Sequence, residues 1–429
     1  MATMKKLAVC LAFCALAQNA GAEYNVILVV LDTVRADHTS IHGYARDTTP
    51  RMKEFALKGT VFETALAQSD WTIPAFASMF TGKRPQSHGT FMQRDRLDSS
   101  EATMAQIFDA HGFQTAAFVT LVMGVPFFNI NQGFQKYRRA RSNSLRDSMQ
   151  DAADWLTGHH RQRFLLMVHG ADAHYPYGCP KGYIDRYASG YEGVGKDRIV
   201  DHRFLIAFNR KKSFWKSMSL RDLSEIQAIK TDPRAMAHLM AQYDGCLSYA
   251  DSQLGVLFET LNRLDLWRNT IVIVTADHGE ELGDHGEFGH VSAPLYEEII
   301  HIPFVMYVPD QARWAGMRIK EPVEQIDLLP TLVDLEGWKP LEAVDGSSFK
   351  GLFDGLRRDR PYYGQAPRQR FNPKVLTLEA FRKDDWKVVR VDRRWKLFDL
   401  KRDPKEQDDL IQKRPDVFLK LSHEVLGLK

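Results

Sequence analysis

The chain has 429 residues, with 57 Lys and Arg against 54 Asp and Glu, so its formal charge is only +3. A dedicated nucleic-acid binder would carry a strong basic excess, and 44% hydrophobic with 26% charged residues is ordinary globular composition, which excludes disordered and fibrous classes. The length permits one large α/β domain with an appendage or a few ordinary domains, and no apolar run approaches the roughly 18 residues of a membrane span.

The first segment reads as an address. Lys5 and Lys6, the apolar run 7–17 (LAVCLAFCALA) and the small residues Ala20-Gly21-Ala22 together form the pattern of a secretory leader cleaved after Ala22. An exported protein, periplasmic or secreted from a bacterium, is therefore expected. Cleavage removes Cys10 and Cys14 and leaves Cys179 and Cys246. Two cysteines make no disulfide scaffold, and whether they pair is left open.

The run 26–31 (VILVVL) is continuous and apolar, as in a strand buried on both faces, and similar runs recur at 164–168, 271–274 and 302–308. Between them Tyr243, Leu247, Ala250, Leu254, Leu257 and Leu261 make one apolar helical face. Buried strands alternating with amphipathic helices predict an α/β fold with a large, mostly parallel central sheet. The stretch 190–240, with its basic-aromatic segment 209–217 (NRKKSFWKS), interrupts that rhythm and reads as an insertion, more a solvated helical excursion than a substrate flap. From about 346 the character changes. Segments 386–391 and 395–400 read as two strands around Asp392-Arg393-Arg394, followed by a charged helix. The predicted organisation is a leader 1–22, a main domain 23–345 and a small α+β subdomain 346–429. Arg357, Arg358, Arg360, Arg368 and Arg370 form a basic stretch there, read first as a solvated face and second as an attractor of anions.

Ionisable residues follow the apolar strands, where open α/β sheets place their ligands. Asp32 follows the first run, His169, Asp172 and His174 the second, and Asp277-His278 the third. An Asp-His pair offers one oxygen and one nitrogen to a divalent cation. Pro74 and Gly82 bracket a helix that puts Thr72 at or just before its N-terminus. By local sequence that hydroxyl is a helix cap or a group placed beside a bound anion.

These segments together resemble the sulfatase family of the alkaline-phosphatase superfamily, over essentially the whole mature chain. They are VILVVLDTVRADHTSIHGYARDTTP (26–50), SDWTIPAFASMFTGKRPQSHG (69–89), FLLMVHGADAHYPY (164–177), YDGCLSYADSQLG (243–255), TADHGEELGDHGEFGH (275–290), LYEEIIHIPFVMYVP (295–309), QIDLLPTL (325–332) and WKLFDLKRDPKEQDDL (395–410). The resemblance implies that Asp32, Asp277 and His278, with Thr72, hold one divalent metal ion, calcium or else zinc or manganese. It places Thr72 at the nucleophile position, His174 and His290 against the transferred ester and leaving oxygen, and Arg35 near the anion. His169, Asp172 and His285 are nearby groups with packing or catalytic roles open. The implied substrate is a sulfate or phosphate ester of a glycan, a lipid head group or an aryl alcohol, with no nucleic acid and no transmembrane segment.

Three departures matter. Thr72 cannot mature to formylglycine, which needs Cys or Ser; Phe76 replaces the motif arginine; and Thr33 replaces a frequent second Asp ligand. A hydroxyl nucleophile needs a metal or base to activate it, and the elimination route of a formylglycine hydrate is closed to Thr. Phosphoryl transfer is therefore weighed above sulfatase chemistry, and a catalytically inactive protein that binds anionic glycans or envelope polymers is the alternative.

Overall fold

A computed structural model of the chain describes residues 24–91, 95–120, 128–188, 190–195, 220–290, 294–367, 377–391 and 394–426. The leader, the basic-aromatic segment 209–217, Arg368, Arg370, Asp392 and Arg393 lie outside the described residues.

The continuous apolar runs become the middle of an eight-stranded sheet. Its spatial order is Arg318–Ile319, Thr60–Phe62, Phe304–Tyr307, Thr270–Ala276, Asn25–Leu31, Phe164–Gly170, Gln114–Val119 and Lys136–Arg139. The three central strands are seven residues each and buried along their whole length. Side chains on both faces must therefore be apolar, and that is why these strands read as unbroken runs rather than alternations. Neighbours among them pair in parallel, whereas Phe304–Tyr307 runs antiparallel to both of its partners. The sheet is thus mixed but mostly parallel, as expected.

Helices cover it. The 31-residue helix Pro233–Arg263 buries Tyr243, Leu247, Ala250, Leu254, Leu257 and Leu261. At roughly 25 cal/mol per Å² of apolar area, such a stripe supplies several kcal/mol of burial, which is what fastens the helix to the sheet. Of the predicted insertion 190–240, the described part is helical at Leu220–Thr231, and its last residues already belong to the long helix. Cys179 and Cys246 are joined in a disulfide, closing the question the sequence left open.

The C-terminal part contains four antiparallel strands in sequential order, Tyr362–Pro367, Thr377–Lys383, Trp386–Val391 and Arg394–Asp399, then the helix Pro415–Leu426. Two of these strands were expected. The other two have mixed polar composition and are defined by their pairing. The basic stretch is not a solvated face throughout. Arg357 is exposed, but Arg358 and Arg360 reach back as ion-pair partners of Asp327, with Arg360 also on Glu324. Among the described residues no helix is long and apolar enough to cross a membrane.

Candidate active site

Register assembles the site. Leu31 pairs with Ala276 across parallel strands, so the residues that follow, Asp32 and Asp277, leave the sheet side by side. Leu31 also pairs with Gly170, and the Asp32 N–H donates to the Gly170 carbonyl at 2.8 Å. Thr33 has φ 60°, a left-handed turn unusual for a β-branched residue. That turn aims its N–H at Asp277 Oδ1, 3.1 Å away, while its hydroxyl bonds back to the Asp32 carbonyl at 2.7 Å. The His278 N–H donates to the same Asp277 oxygen at 2.8 Å. The amide of Gln325 holds the loop from outside through the Ala276 and Asp277 carbonyls at 3.0 and 2.6 Å.

Asp32, Asp277 and His278 are fully buried, and each offers a ligand atom within 4.8 Å of the others. Both oxygens of Asp32 and Oδ2 of Asp277 have no hydrogen-bond partner. Two buried carboxylates facing each other with orphaned oxygens are costly unless a cation lies between them. Two anionic oxygens and one imidazole nitrogen fit a divalent ion, and the identity of that ion stays open.

Thr72 opens the ten-residue helix Thr72–Thr81, whose N-cap is Trp71 and whose end is set by Gly82 at φ 67°. Thr72 is therefore not the cap. Its hydroxyl points instead at His278, with Oγ1 3.4 Å from Nε2, and the residue is buried. A helix N-terminus directed at this point favours negative charge.

Two further histidines border the cluster. The His290 ring lies 4.6 Å from that of His278 and 5.0 Å from that of His174. Glu280 orients His290, with Oε1 3.2 Å from Nδ1, and accepts the Tyr177 hydroxyl at 2.8 Å through its other oxygen. His174 is the partly exposed member, its Nδ1 close to the Tyr175 carbonyl. His169 Nε2 stands 3.4 Å from Asp32 Oδ2, and its Nδ1 meets the Thr120 hydroxyl at 2.9 Å.

The charges are strongly interdependent. Burial opposes ionisation of Asp32, but His169, His174 and His278 hold it well below the usual carboxylate range. Asp277 is pushed up by burial and by the Asp32 charge. Burial alone would lower His278, yet Asp277 and Asp32 raise it, with Asp70 adding to the effect. Glu280 is raised well above its ordinary value by burial, with the Asp32 charge adding to it and the Tyr177 hydroxyl opposing it. Carboxylates that burial and each other's charge push toward the neutral form would regain their charge beside a cation.

The structure places some expected residues elsewhere. Arg35 is not an anion contact: its guanidinium is clamped by Asp37 at 2.7 Å and Asp284 at 2.6 Å and donates to the Glu280 carbonyl, leaving it 3% exposed. It braces the two catalytic-side loops against each other. Asp172 receives the Leu145 N–H at 2.7 Å and anchors the start of the helix Leu145–His159. His285 lies in a separate cluster with Glu298. Phe76, in the motif arginine's place, is fully buried and packs edge-on against His169, ring centroids 5.2 Å apart. Glu280, Asp70, Trp71 and Gln325 were not picked out as site residues. Glu280 and Asp70 sit in segments whose motif character was evident, as HGEE and SDWT, so an acidic neighbour of each motif was the available signal.

Residues 24–337 match the family model described as Sulfatase, and residues 283–427 match the one described as N-sulphoglucosamine sulphohydrolase, C-terminal. The chain is similar to an arylsulfatase of Clostridium perfringens, 24% identical over 449 residues and covering 90% of each chain. Among solved structures it is similar to the phosphonate monoester hydrolase of Agrobacterium radiobacter, with a TM-score of 0.76, 19% identity and 94% of this chain and 95% of that chain covered. A protein solved with its substrate D-glucosamine-2-N,6-O-disulfate gives a TM-score of 0.74 at 18% identity, covering 94% of this chain and 98% of that one.

Proposed function

The chain belongs to the sulfatase family of ester hydrolases, and from that premise we propose that it is an exported, metal-dependent hydrolase or transferase in which Thr72 is the nucleophile. The observation that carries the reading is the Thr72 hydroxyl, buried 3.4 Å from His278 Nε2 beside the orphaned oxygens of Asp32 and Asp277. Export is supported by the leader pattern at 1–22 and by the Cys179–Cys246 disulfide.

Asp32, Asp277 and His278, with Thr72, would hold a divalent ion, which would supply Lewis acidity toward the ester and lower the hydroxyl pKa. The chain's own residues do the rest. With its Nδ1 on the Gly279 carbonyl at 2.9 Å, His278 has only the Nε2 lone pair, which would be committed to the ion, so the Thr72 proton passes to solvent. Thr72 Oγ1 then attacks the phosphorus or sulfur, the bond to the alcohol oxygen breaks, and that oxygen collects a proton from the His174–His290 pair. Water or a second alcohol attacks the resulting Thr72 ester and restores the hydroxyl. Glu280 keeps His290 oriented throughout. A threonine ester can be resolved only by displacement at phosphorus or sulfur, the easier reaction at phosphorus, so phosphate or phosphonate esters are placed ahead of sulfate esters.

The mature chain, supplied separately with zinc, manganese and calcium, is assayed on aryl sulfate, phosphomonoester, phosphodiester and phosphonate substrates. Turnover should need a divalent ion and fall about 10⁴-fold in Thr72→Ala. Mass spectrometry of acid-quenched protein should find the transferred group on the Thr72 peptide. Undiminished turnover by Thr72→Ala sinks the nucleophile assignment. Phe76, apolar where an arginine is expected, favours a second reading as a binding protein. Ligand binding retained by Thr72→Ala, with no turnover by its parent, selects that one.

A further inference from the structure

A second group of possible ligands joins Glu281 and His285, which follow the Asp277–His278 turn, to Glu298 on the short helix Glu297–Ile300. Glu281, His285 and Glu298 each offer one ligand atom, all within 4.8 Å of one another. Glu281 is fully buried, and neither of its carboxylate oxygens has a hydrogen-bond partner. His285 Nδ1 meets Glu298 Oε1 at 2.5 Å, and its Nε2 lies 3.2 Å from the Glu406 carbonyl oxygen. We infer that Glu281, His285 and Glu298 form a second divalent-cation site, suited to zinc or manganese and separate from the Asp32–Asp277–His278 cluster.

The argument begins with how the loop approaches its partner. The Gly279 N–H donates to the Ile299 carbonyl at 2.7 Å. A Cβ at position 279 would stand 2.0 Å from the Glu298 carbonyl oxygen, so only glycine lets the two segments touch. That contact carries Glu281 against Glu298. It is an odd place to put two carboxylates with no cationic side chain on the first of them.

A neutral imidazole donating from Nε2 to a backbone carbonyl presents its Nδ1 lone pair on the other side, the usual support for a metal-bound histidine. Here that lone pair would face Glu298 and the unpartnered Glu281. Protonating His285 satisfies Glu298 alone and leaves Glu281 orphaned. A divalent ion satisfies all three, because two carboxylates and one neutral imidazole balance its charge. Burial, with Glu298 and Glu287 adding their charge, pushes the bare Glu281 carboxyl up to about 8. One nitrogen and two oxygens favour zinc or manganese over the all-oxygen preferences of calcium and magnesium. The His285 ring is held in place by stacking on Tyr296 at 3.8 Å.

The proposal stands whether or not Thr72 is the nucleophile, and metal counting separates the two. The full mature chain is stripped with a chelator, equilibrated with zinc at neutral pH, and its metal content measured. The parent should hold two ions per chain. Glu281→Gln should hold one, the double variant Asp32→Asn with Asp277→Asn should hold one, and the triple variant none. Glu281→Gln replaces an unpartnered buried carboxyl by its neutral isostere, so folding is expected. Cobalt loaded into the Asp32/Asp277 double variant gives an independent readout, a visible absorption band that Glu298→Gln should abolish. Equal metal content in the parent and Glu281→Gln, or no cobalt band in the double variant, overturns the proposal.

Discussion

Two buried acidic regions of this protein treat their carboxylates in opposite ways. Asp327, at the seam with the C-terminal strands, is fully buried and saturated. Its oxygens accept from the Glu324 and Ser347 N–H groups, both arms of Arg358 and Arg360, at 2.8–3.0 Å. Asp32, at the carboxyl end of the sheet, is equally buried and has no donor on either oxygen. Burial alone therefore does not distinguish a structural carboxylate from a functional one. The number of filled lone pairs does: a saturated group has spent its capacity on the fold, and an orphaned one keeps it for something that arrives later.

The contrast predicts opposite phenotypes for the same substitution. Asp32→Asn should cost about 10⁴-fold in kcat/KM, since it removes a proposed cation ligand from the reacting centre, while lowering the urea midpoint of the protein less than a substitution at Asp327 does. A large fall in that midpoint would make Asp32 a structural residue. Asp327→Ala should do the reverse, lowering stability by about 3–5 kcal/mol because Arg358 and Arg360 lose their shared partner. Urea unfolding measures it, and a change below about 1 kcal/mol would erase the distinction.

Asp172 sharpens the comparison between these extremes. It accepts one backbone N–H, yet burial pushes its carboxyl up to about 6, from an ordinary value of 3.8. The folded state therefore holds this proton more tightly than the unfolded chain. The contribution of Asp172 to stability should be fully present below pH 4 and be lost through the window from about 4 to 6, by about 3 kcal/mol at most. Asp172→Asn should flatten that segment of the stability curve. An unchanged slope would mean that the backbone bond outweighs burial there.

Much of the catalytic end was legible because its residues follow sequence features that burial enforces. Asp32 and Asp277 come directly after unbroken apolar strands, and a parallel register does the rest. Thr72 was legible from Pro74 and Gly82, which bound its helix. What was not legible depends on partners far along the chain. Arg35 has one carboxylate beside it in sequence, Asp37, but the other, Asp284, is 249 positions away, so its motif position gave only half of its clamp. Glu281 sits beside His285 in sequence, but its companion Glu298 joins only through the close approach at Gly279. Strands of two residues, such as Arg318–Ile319, carry no pattern of their own and exist only by pairing.

The disulfide between Cys179 and Cys246 ties together positions 67 apart, and the proposed site residues Thr72, His174, Asp277, His278 and His290 all lie outside that span. A protease that cuts once between them would therefore leave one covalent molecule with both fragments attached. Such a nicked chain should migrate as a single species until it is reduced. In a compartment rich in proteases, a scission inside that loop would be a wound the enzyme carries rather than one that divides it.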